Sequence, residues 1–376
     1  MKKLLLATTA VAGLALMPAA AHAEIDLDLG GYFKGYAGFT DQDTNGVSDF
    51  GIRRESEIHI NGETTLDNGL TVGARFEIQT EADGVQFNDL NADGLVQAGE
   101  LTDTGDQFEE SYIYFSGNWG RVNFGAEDGA AYLLQVAAPS ADSNIDGIDP
   151  DIEFVNFAGT VITPLNYELA PTQDADKVTY LTPKVAGFQA GVSWASDSIQ
   201  DGLFSGLGGQ DANETTSAAG TLHDVIEVSA RYDGDIDGIG IHAGGGYVTA
   251  QQSNATASPD YDGWNVGLKF DVAGFGLGAS YSEQENFVGN EDSEVLVVGA
   301  DYQLGAYKLG ASYFNSETDV GAATDEVERY SVGAGYSYGP GLSFRGSVHV
   351  YDIEDSATPA SNNDAVAVVL GTDIQF

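Results

Sequence analysis

Apolar and polar residues alternate with a period of two in several segments, and this pattern predicts β-strands. In residues 70–79, Leu, Val, Ala, Phe and Ile alternate with Thr, Gly, Arg, Glu and Gln. Residues 24–34, 57–61 and 366–376 show the same alternation. Each predicted strand therefore has one face in an apolar environment and one face in water, as in a soluble β-sandwich or a membrane barrel.

Short and long connections alternate between the predicted strands, and their order distinguishes these two folds. The seven short turns are residues 67–69, 117–120, 186–187, 233–238, 273–274, 304–306 and 339–341. The eight longer polar loops are residues 40–50, 83–106, 126–176, 198–222, 251–260, 287–292, 317–326 and 355–363. Short turns at one end and long loops at the other are typical of transmembrane barrels. The pattern predicts an all-β fold, a transmembrane antiparallel β-barrel of about 16 strands around a water-filled lumen.

The first 23 residues have the composition of a secretory signal peptide. Lys2 and Lys3 precede an apolar run at 4–17 that is too short to span a bilayer, and Ala-His-Ala at 21–23 fits a cleavage site. A buried N-terminal helix is the alternative interpretation. We expect residues 1–23 to be a cleaved signal peptide and residues 24–376 to form one barrel domain of an exported protein.

The chain is strongly acidic. It has 14 Lys+Arg against 58 Asp+Glu, a net charge of −44, and no cysteine. Removing residues 1–23 takes away two lysines and no acid, which leaves 12 basic against 58 acidic residues and a net charge of −46. This charge argues against nucleic-acid binding and favours attraction of cations, and the lack of cysteine excludes disulfides and thiolate metal sites. A soluble secreted β-protein would have a similar composition, so composition alone does not decide.

Five short motifs resemble those of a known family. They are LGGYFKGY at 29–36, INGET at 60–64, DNGLTVG at 67–73, GRVNFG at 120–125 and GTDIQF at 371–376. In order and spacing they resemble the trimeric general porins of Gram-negative bacteria, particularly the alphaproteobacterial type. The resemblance covers the whole mature chain. It implies a homotrimer in contact with outer-membrane lipid and lipopolysaccharide, through which small hydrophilic solutes and ions diffuse passively.

The chain ends on an aromatic residue, Phe376, with Ile374 and Leu370 before it on the same alternation. These three residues resemble the signal that the barrel-assembly machinery reads. The alternative is that the chain simply ends in a strand. The alternation predicts that they face outward and that the last strand closes against the first near Ile25.

The longest connection, residues 126–176, is called the third loop below. In the porins that the chain resembles, this loop folds into the barrel and narrows it, and the apolar residues here would allow it to pack on an inner wall. An external loop is the alternative. The resemblance assigns the acidic residues of the loop to the pore constriction, and these are Asp142, Asp146, Asp149, Asp151 and Glu153.

Strand alternation also places basic residues on the inner face of the predicted barrel. They are Lys34, Arg53, Arg75 and Arg121. The resemblance implies that these cations face the loop acids and sort permeants by charge. Local ion pairing with Glu55, Glu57 or Glu77 on the same face is the alternative.

Many relatives have a basic residue after the glycine that ends strand five. Here Ala-Glu-Asp follows that glycine at 126–128. Together with the net charge, this difference favours a cation preference.

A calcium-binding pattern lies in the second loop, residues 83–106. Residues 89–100, DLNADGLVQAGE, match D-x-[DN]-x-[DN]-G-x5-E at every defined position. The predicted donors are Asp89, Asn91, Asp93, the Leu95 carbonyl, Gln97 and Glu100. The flanking residues do not resemble the helices of an EF-hand, and an acidic surface loop is the alternative. In the porin resemblance the second loop latches onto the neighbouring subunit, so structural calcium would brace the trimer.

The sequence offers no catalytic motif, and we predict that the chain is not an enzyme. The histidines after residue 23, at 59, 223, 242 and 349, are scattered without a paired motif. Barrel hydrolases assemble their sites from separate strands, so this class stays open. Two further alternatives stay open for the whole chain: a substrate-selective channel, and a structural or adhesive barrel that does not conduct.

Overall fold

The computed structural model describes residues 25–44, 47–80, 108–150, 152–155, 164–198, 222–252, 259–286, 291–356, 359 and 362–376, with the backbone of 86–87 and 101–102. The strands are β1 (Asp26–Gln42), β2 (Phe50–Thr65), β3 (Thr71–Gln79), β4 (Gln86–Phe87), β5 (Leu101–Thr102), β6 (Phe108–Gly117), β7 (Gly120–Ala126), β8 (Asp176–Leu181), β9 (Phe188–Asp197), β10 (Leu222–Ile236), β11 (Ile239–Gln252), β12 (Tyr261–Val272), β13 (Phe275–Glu285), β14 (Ser293–Leu304), β15 (Tyr307–Val320), β16 (Ala323–Gly339), β17 (Leu342–Glu354) and β18 (Asn363–Gln375). Two one-turn helices are α1 (Ala130–Leu133) and α2 (Ser143–Asp146).

Sixteen of these strands form one closed antiparallel barrel. Strands that follow one another in the chain pair with each other, and β3 pairs with β6 because β4 and β5 form a small sheet of their own. β18 pairs with β1 and so closes the barrel. The predicted strand number and antiparallel order are confirmed.

The alternation of the sequence becomes the two faces of the barrel wall. In β18, Ala365, Ala367 and Val369 are buried on the inner face, whereas Val366 and Val368 are exposed on the outer face. The other strands expose large apolar side chains in the same way, which gives the barrel an outer surface suited to hydrocarbon.

Aromatic pairs lie towards both ends of this outer surface. Phe275 and Tyr302, beside the short turns, have ring centroids 4.2 Å apart. Trp264 and Tyr281, towards the long loops, are 5.1 Å apart. Tyrosine and tryptophan rings are amphipathic and prefer the membrane–water boundary, so the two sets mark the limits of an apolar band.

The short turns have the geometry that a tight hairpin requires. In the turn between β12 and β13, Ala273 has φ +50° and Gly274 has φ +87°. Two consecutive positive φ values are the mark of a type I′ turn, whose twist matches that of the flanking strands. Glycine adopts this conformation without steric cost, which explains its place as the second turn residue.

One predicted loop is shorter than expected. The polarity of residues 317–326 predicts a long loop, but β15 and β16 continue through most of this range and pair up to Val320 and Ala323. The polar residues there alternate on a hairpin that extends past the apolar band, so their polarity reflects water on both faces. The predicted bounds of the loop at 317–326 are therefore wrong, while the predicted number of strands does not change.

The C-terminus closes the barrel as predicted, at a different position on β1. The Gly31 N–H donates to the Phe376 carbonyl at 3.0 Å, and the Phe376 N–H donates to the Gly31 carbonyl at 3.1 Å. Phe376 thus meets Gly31, not Ile25. Leu370, Ile374 and Phe376 are exposed on the outer face, and Phe376 keeps 68% of its surface exposed.

The buried apolar residues lie inside the barrel, between the wall and the third loop. Ile145 and Ile152 of the loop pack with Tyr36, Val327 and Tyr351 of the wall. Two further clusters place loop residues against β9–β12 and against β14–β15. Among the described residues, none belongs to a helix long and apolar enough to cross a bilayer.

Deletion of Phe376 is expected to lower the free energy of unfolding by about 1–3 kcal/mol, because the two hydrogen bonds to Gly31 are lost. Urea unfolding of the barrel in lipid vesicles measures this change. Phe376→Ala is the matched control, since it keeps both backbone bonds and removes an exposed ring. Equal stability of the deletion and of Phe376→Ala would contradict a role for the closing pair.

Candidate channel constriction

The third loop lies along the inner face of the wall. After β7 it forms α1, where the Ala130 N–H donates to Ser193 Oγ on β9 at 2.7 Å and the Ala131 N–H donates to Glu227 Oε2 on β10 at 3.0 Å. The segment then crosses β11–β16, and at Phe154 it reaches β1, where Thr40 Oγ1 donates to the Phe154 carbonyl at 3.0 Å. These contacts bring loop backbone against strand after strand.

Glycines on the inner face leave room for this backbone. A methyl group at Gly267 on β12 would clash with the Val136 carbonyl oxygen, and one at Gly299 on β14 would clash with the Pro139 carbonyl oxygen. Any larger residue at these positions would push the loop away from the wall. Sequence reasoning missed this role, although glycine at inner-facing positions of successive strands was a visible signal.

Asp142 and Asp146 bind the wall rather than face the open lumen, which differs from the place expected of them. Asp142 Oδ1 lies 2.7 Å from Arg345 Nη1, and Asp142 Oδ2 accepts a hydrogen bond from Tyr36 at 2.9 Å. Asp146 Oδ1 lies 3.2 Å from Arg329 Nε. Both carboxylates are almost fully buried, so these ion pairs anchor the loop to β16 and β17.

The surroundings of Asp146 keep it charged despite burial. Burial by itself raises the pKa of Asp146, but the Arg329 guanidinium and the hydrogen bonds from His349 and Ser331 bring it below its usual value. Ser331 Oγ donates to Asp146 Oδ1 at 2.8 Å and lies 2.8 Å from His349 Nδ1. Sequence reasoning did not identify Arg329, Arg345 or His349, although all three lie on the inner-facing alternation of their strands.

The remaining loop acids lie nearer to β1 and β2. The Arg53 Nε–H donates to the Glu153 carbonyl at 3.1 Å, and the Glu153 carboxylate accepts the backbone N–H of Phe154 at 2.7 Å. Burial, followed by the charge of Glu55, raises the pKa of Asp149. Asp151 lies outside the described residues. Arg53 is thus a predicted wall cation that contacts the third loop.

The other predicted wall cations pair locally. Lys34 Nζ lies 2.7 Å from Glu55 Oε2. Arg75 is in close contact with Glu77, and its Nε lies 3.6 Å from Glu110 Oε2. Arg121 lies 3.9 Å from the ring centroid of Tyr114. For Lys34 and Arg75 the geometry matches the alternative of ion pairing on the wall, so their charges are largely balanced before any permeant arrives.

An acidic cluster lies at the root of the third loop. Glu110, Asp128 and Asp174 bring carboxylate oxygens within 4.8 Å of one another. Burial, followed by the charge of Glu110, raises the pKa of Asp174 to about 7. Burial, followed by the charge of Asp174, raises the pKa of Asp128 well above its usual range. The cluster therefore changes charge near neutral pH. Asp128 belongs to the Ala-Glu-Asp segment that follows Gly125 in the sequence.

A second charged network lies near the short turns. Asp233 lies 2.8 Å from Lys184 Nζ, 3.0 Å from Arg231 Nε and 2.7 Å from His242 Nδ1. His242 Nε2 also lies 3.1 Å from Asp271. Acidic and basic groups balance here, in contrast to the acidic cluster beside the third loop. The predicted calcium donors at 89–100 lie outside the described residues.

Arg329→Met is expected to lower the free energy of unfolding by about 3–5 kcal/mol, because it leaves the buried Asp146 carboxylate without its cation. Urea unfolding in lipid vesicles measures the loss. The double variant Arg329→Met with Asp146→Asn should recover part of it, since no buried charge then remains unpaired. A single variant within about 1 kcal/mol of the wild type would show that the ion pair does not anchor the loop.

Comparisons with known proteins agree with this architecture. The anion-selective porin from Comamonas acidovorans has a TM-score of 0.66 and 16% identity over 94% of this chain and 100% of that chain. The trimer form of OmpT from Vibrio cholerae has a TM-score of 0.60 and 13% identity, over 94% and 99%. Salmonella typhi OmpF, solved in complex with daunomycin, has a TM-score of 0.60 and 18% identity, over 93% and 97%.

At these identities the solved structures establish the fold alone. No curated protein sequence matches the chain. A family model for Gram-negative porins matches residues 7–356, nearly the whole chain. On this match, together with the closed barrel of sixteen strands, the chain belongs to the Gram-negative porin family.

Proposed function

We propose that the chain forms a water-filled pore for passive diffusion of small hydrophilic solutes and ions, with a preference for cations. Porin family membership and the fold indicate a channel of the Gram-negative outer membrane rather than an enzyme. The observation that carries the proposed preference is the surplus of carboxylates beside the third loop.

The surplus comes from side chains on the wall beside the third loop, at the loop root and, for Asp149 and Glu153, within the loop. The acids are Glu55, Glu57, Glu77, Glu110, Glu127, Asp128, Asp149, Glu153 and Asp174, and the bases are Lys34, Arg53, Arg75, Arg121 and Lys177. Nine acids thus stand against five bases, and the buried loop acids Asp142 and Asp146 are already balanced by Arg345 and Arg329. A negative lining attracts cations and repels anions. The Comamonas porin is anion-selective, but a shared fold does not transfer selectivity, which depends on individual side chains.

The third loop narrows the pore in this proposal. We place the passage beside β1–β3, where Lys34 pairs with Glu55, Arg75 lies near Glu110 and Arg53 contacts the loop. Charges on opposite sides of a narrow passage orient water and select permeants by sign. Asp149 and Glu153 are the described loop acids proposed to act there.

Purified protein in planar bilayers is expected to show large, ungated conductance and a reversal potential of cation-selective sign in a KCl gradient. Glu110→Gln should reduce the preference, because it removes charge beside the passage, whereas Glu283→Gln on the outer face should leave it unchanged. An anion-selective reversal potential would contradict the proposed preference. Small, saturable conductance would favour a substrate-selective channel, and no conductance would contradict the channel proposal.

The cation preference should increase with pH between about pH 6 and about pH 8, because Asp174 in the acidic cluster at the loop root ionises there. Asp174, with a pKa of about 7, is the group to test. Reversal potentials across this range measure the effect, and Asp174→Asn should flatten it. Stability should change in the opposite direction: the folded-state pKa is raised, so the contribution of Asp174 is complete at low pH and lost as pH rises through about 7. A preference that does not depend on pH would contradict this role of the cluster.

We further propose that the chain assembles as a homotrimer, as the OmpT neighbour does in its trimer form. Three further proposals rest on sequence motifs. They are cleavage after residue 23, calcium binding at 89–100, and recognition of Phe376 by the assembly machinery. Contact with lipopolysaccharide is proposed from the predicted location in the outer membrane.

A further inference from the structure

Glu57, His59 and Glu77 bring potential metal ligands together on the inner wall. His59 Nε2 lies 2.8 Å from Glu57 Oε2 and 3.8 Å from Glu77 Oε2. One ligand atom from each residue lies within 4.8 Å of the other two. Separations of this size match neighbouring ligands around one divalent cation, whose bonds to nitrogen and oxygen are about 2.0–2.2 Å long.

Strand register produces this arrangement. His59 on β2 is directly opposite Glu77 on β3, and Glu57 precedes His59 by two residues on the same face. On the other side of β2, Tyr32 of β1 is directly opposite Glu57. The three candidate ligands therefore lie on two paired strands of a closed barrel, which is a rigid support for a binding site.

Each carboxylate is also held at its second oxygen. The single proton of the Tyr32 hydroxyl is shared between Glu57 Oε1 and Glu55 Oε1, and Arg75 contacts Glu77 Oε1. Both Oε2 atoms are consequently turned towards the imidazole. Groups that orient metal ligands in this way raise metal affinity, and their loss typically reduces it about 10–100-fold.

We propose that Glu57, His59 and Glu77 form a binding site for a divalent transition cation, with zinc as the reference ion. An imidazole nitrogen with two carboxylate oxygens suits zinc and related ions, whereas calcium prefers oxygen ligands alone. On binding, the cation takes the Nε2 lone pair and His59 releases any second proton it carries. The two carboxylates balance the charge of the ion, and Glu77 and Glu110 flank the neighbouring Arg75.

The site is open to the lumen. The side chain of His59 is 21% exposed, while those of Glu57 and Glu77 are 8% and 10% exposed. A bound divalent cation would neutralise two of the acids that carry the proposed cation preference. Zinc should therefore reduce potassium conductance. This consequence depends on the proposed channel function, whereas zinc binding itself does not.

The direct test is calorimetric titration of the folded protein with zinc in excess calcium, which saturates sites made of oxygen ligands alone. Wild type should contain a saturable site that His59→Ala weakens by about 100-fold and Tyr32→Phe by about 10-fold. Glu63→Gln is the matched control, because Glu63 lies on β2 outside the cluster and should leave zinc affinity unchanged. Heat-modifiable mobility on gels confirms that each variant is folded.

Spectroscopy and conductance separate the possible results. Copper(II) bound to wild type should show nitrogen hyperfine coupling from one imidazole, and His59→Ala should lose it. Zinc affinity that is equal in wild type and His59→Ala would overturn the site and leave a simple His59–Glu57 ion pair. Binding that depends on His59, with no effect on potassium conductance, would support the site and contradict its predicted effect on the channel.

Discussion

Within hydrocarbon, every backbone N–H and C=O group must pair inside the protein, and the closed architecture of the barrel follows from that requirement. The barrel meets it by pairing β18 with β1 over eleven residues, from Tyr32 with Gln375 to Gln42 with Ala365. The reciprocal bonds between Gly31 and Phe376 complete the seam at the end with the short turns. Once no strand edge is left open, side chains on the outer face are free to be apolar and those on the inner face to be polar.

A barrel of sixteen strands is too wide for strand side chains to fill, and the third loop occupies part of the interior. A loop placed there needs partners for its own polar groups and close contact for its apolar ones. Asp142 and Asp146 find partners in Arg345 and Arg329, and glycines such as Gly299 let loop backbone approach the wall. The loop is thus held by buried ion pairs at one side of the barrel.

The acidic residues therefore fall into two groups with different roles. Asp142 and Asp146 are balanced by Arg345 and by the buried Arg329, and these ion pairs serve stability. Glu110, Asp128 and Asp174 lie close together at the loop root, where burial and mutual repulsion raise the pKa of Asp174 and Asp128. In the proposed channel, a lining formed by the second group would have a charge that responds to pH. The proposed ligands Glu57 and Glu77 lie on the adjacent wall, where they would couple metal binding to the same electrostatic field.

The barrel could be predicted from the amino-acid sequence, because period-two alternation and the order of turns and loops are local properties of the chain. The sequence also predicts the inner-facing positions of Lys34, Arg53, Arg75 and Arg121, since alternate residues of a strand point to the same face. Hairpin length at 317–326 was misjudged, because polarity alone does not distinguish a loop from a strand that extends into water on both faces.

Which charged side chains meet depends on the folded barrel and could not be predicted from the sequence. Asp146 and Arg329 are 183 residues apart in the sequence, and no local pattern indicates that a loop between β7 and β8 reaches β16. Barrel curvature and the path of the third loop set that distance. Likewise, His59 and Glu77 become neighbours through the register of β2 and β3, which depends on hydrogen bonding between strands.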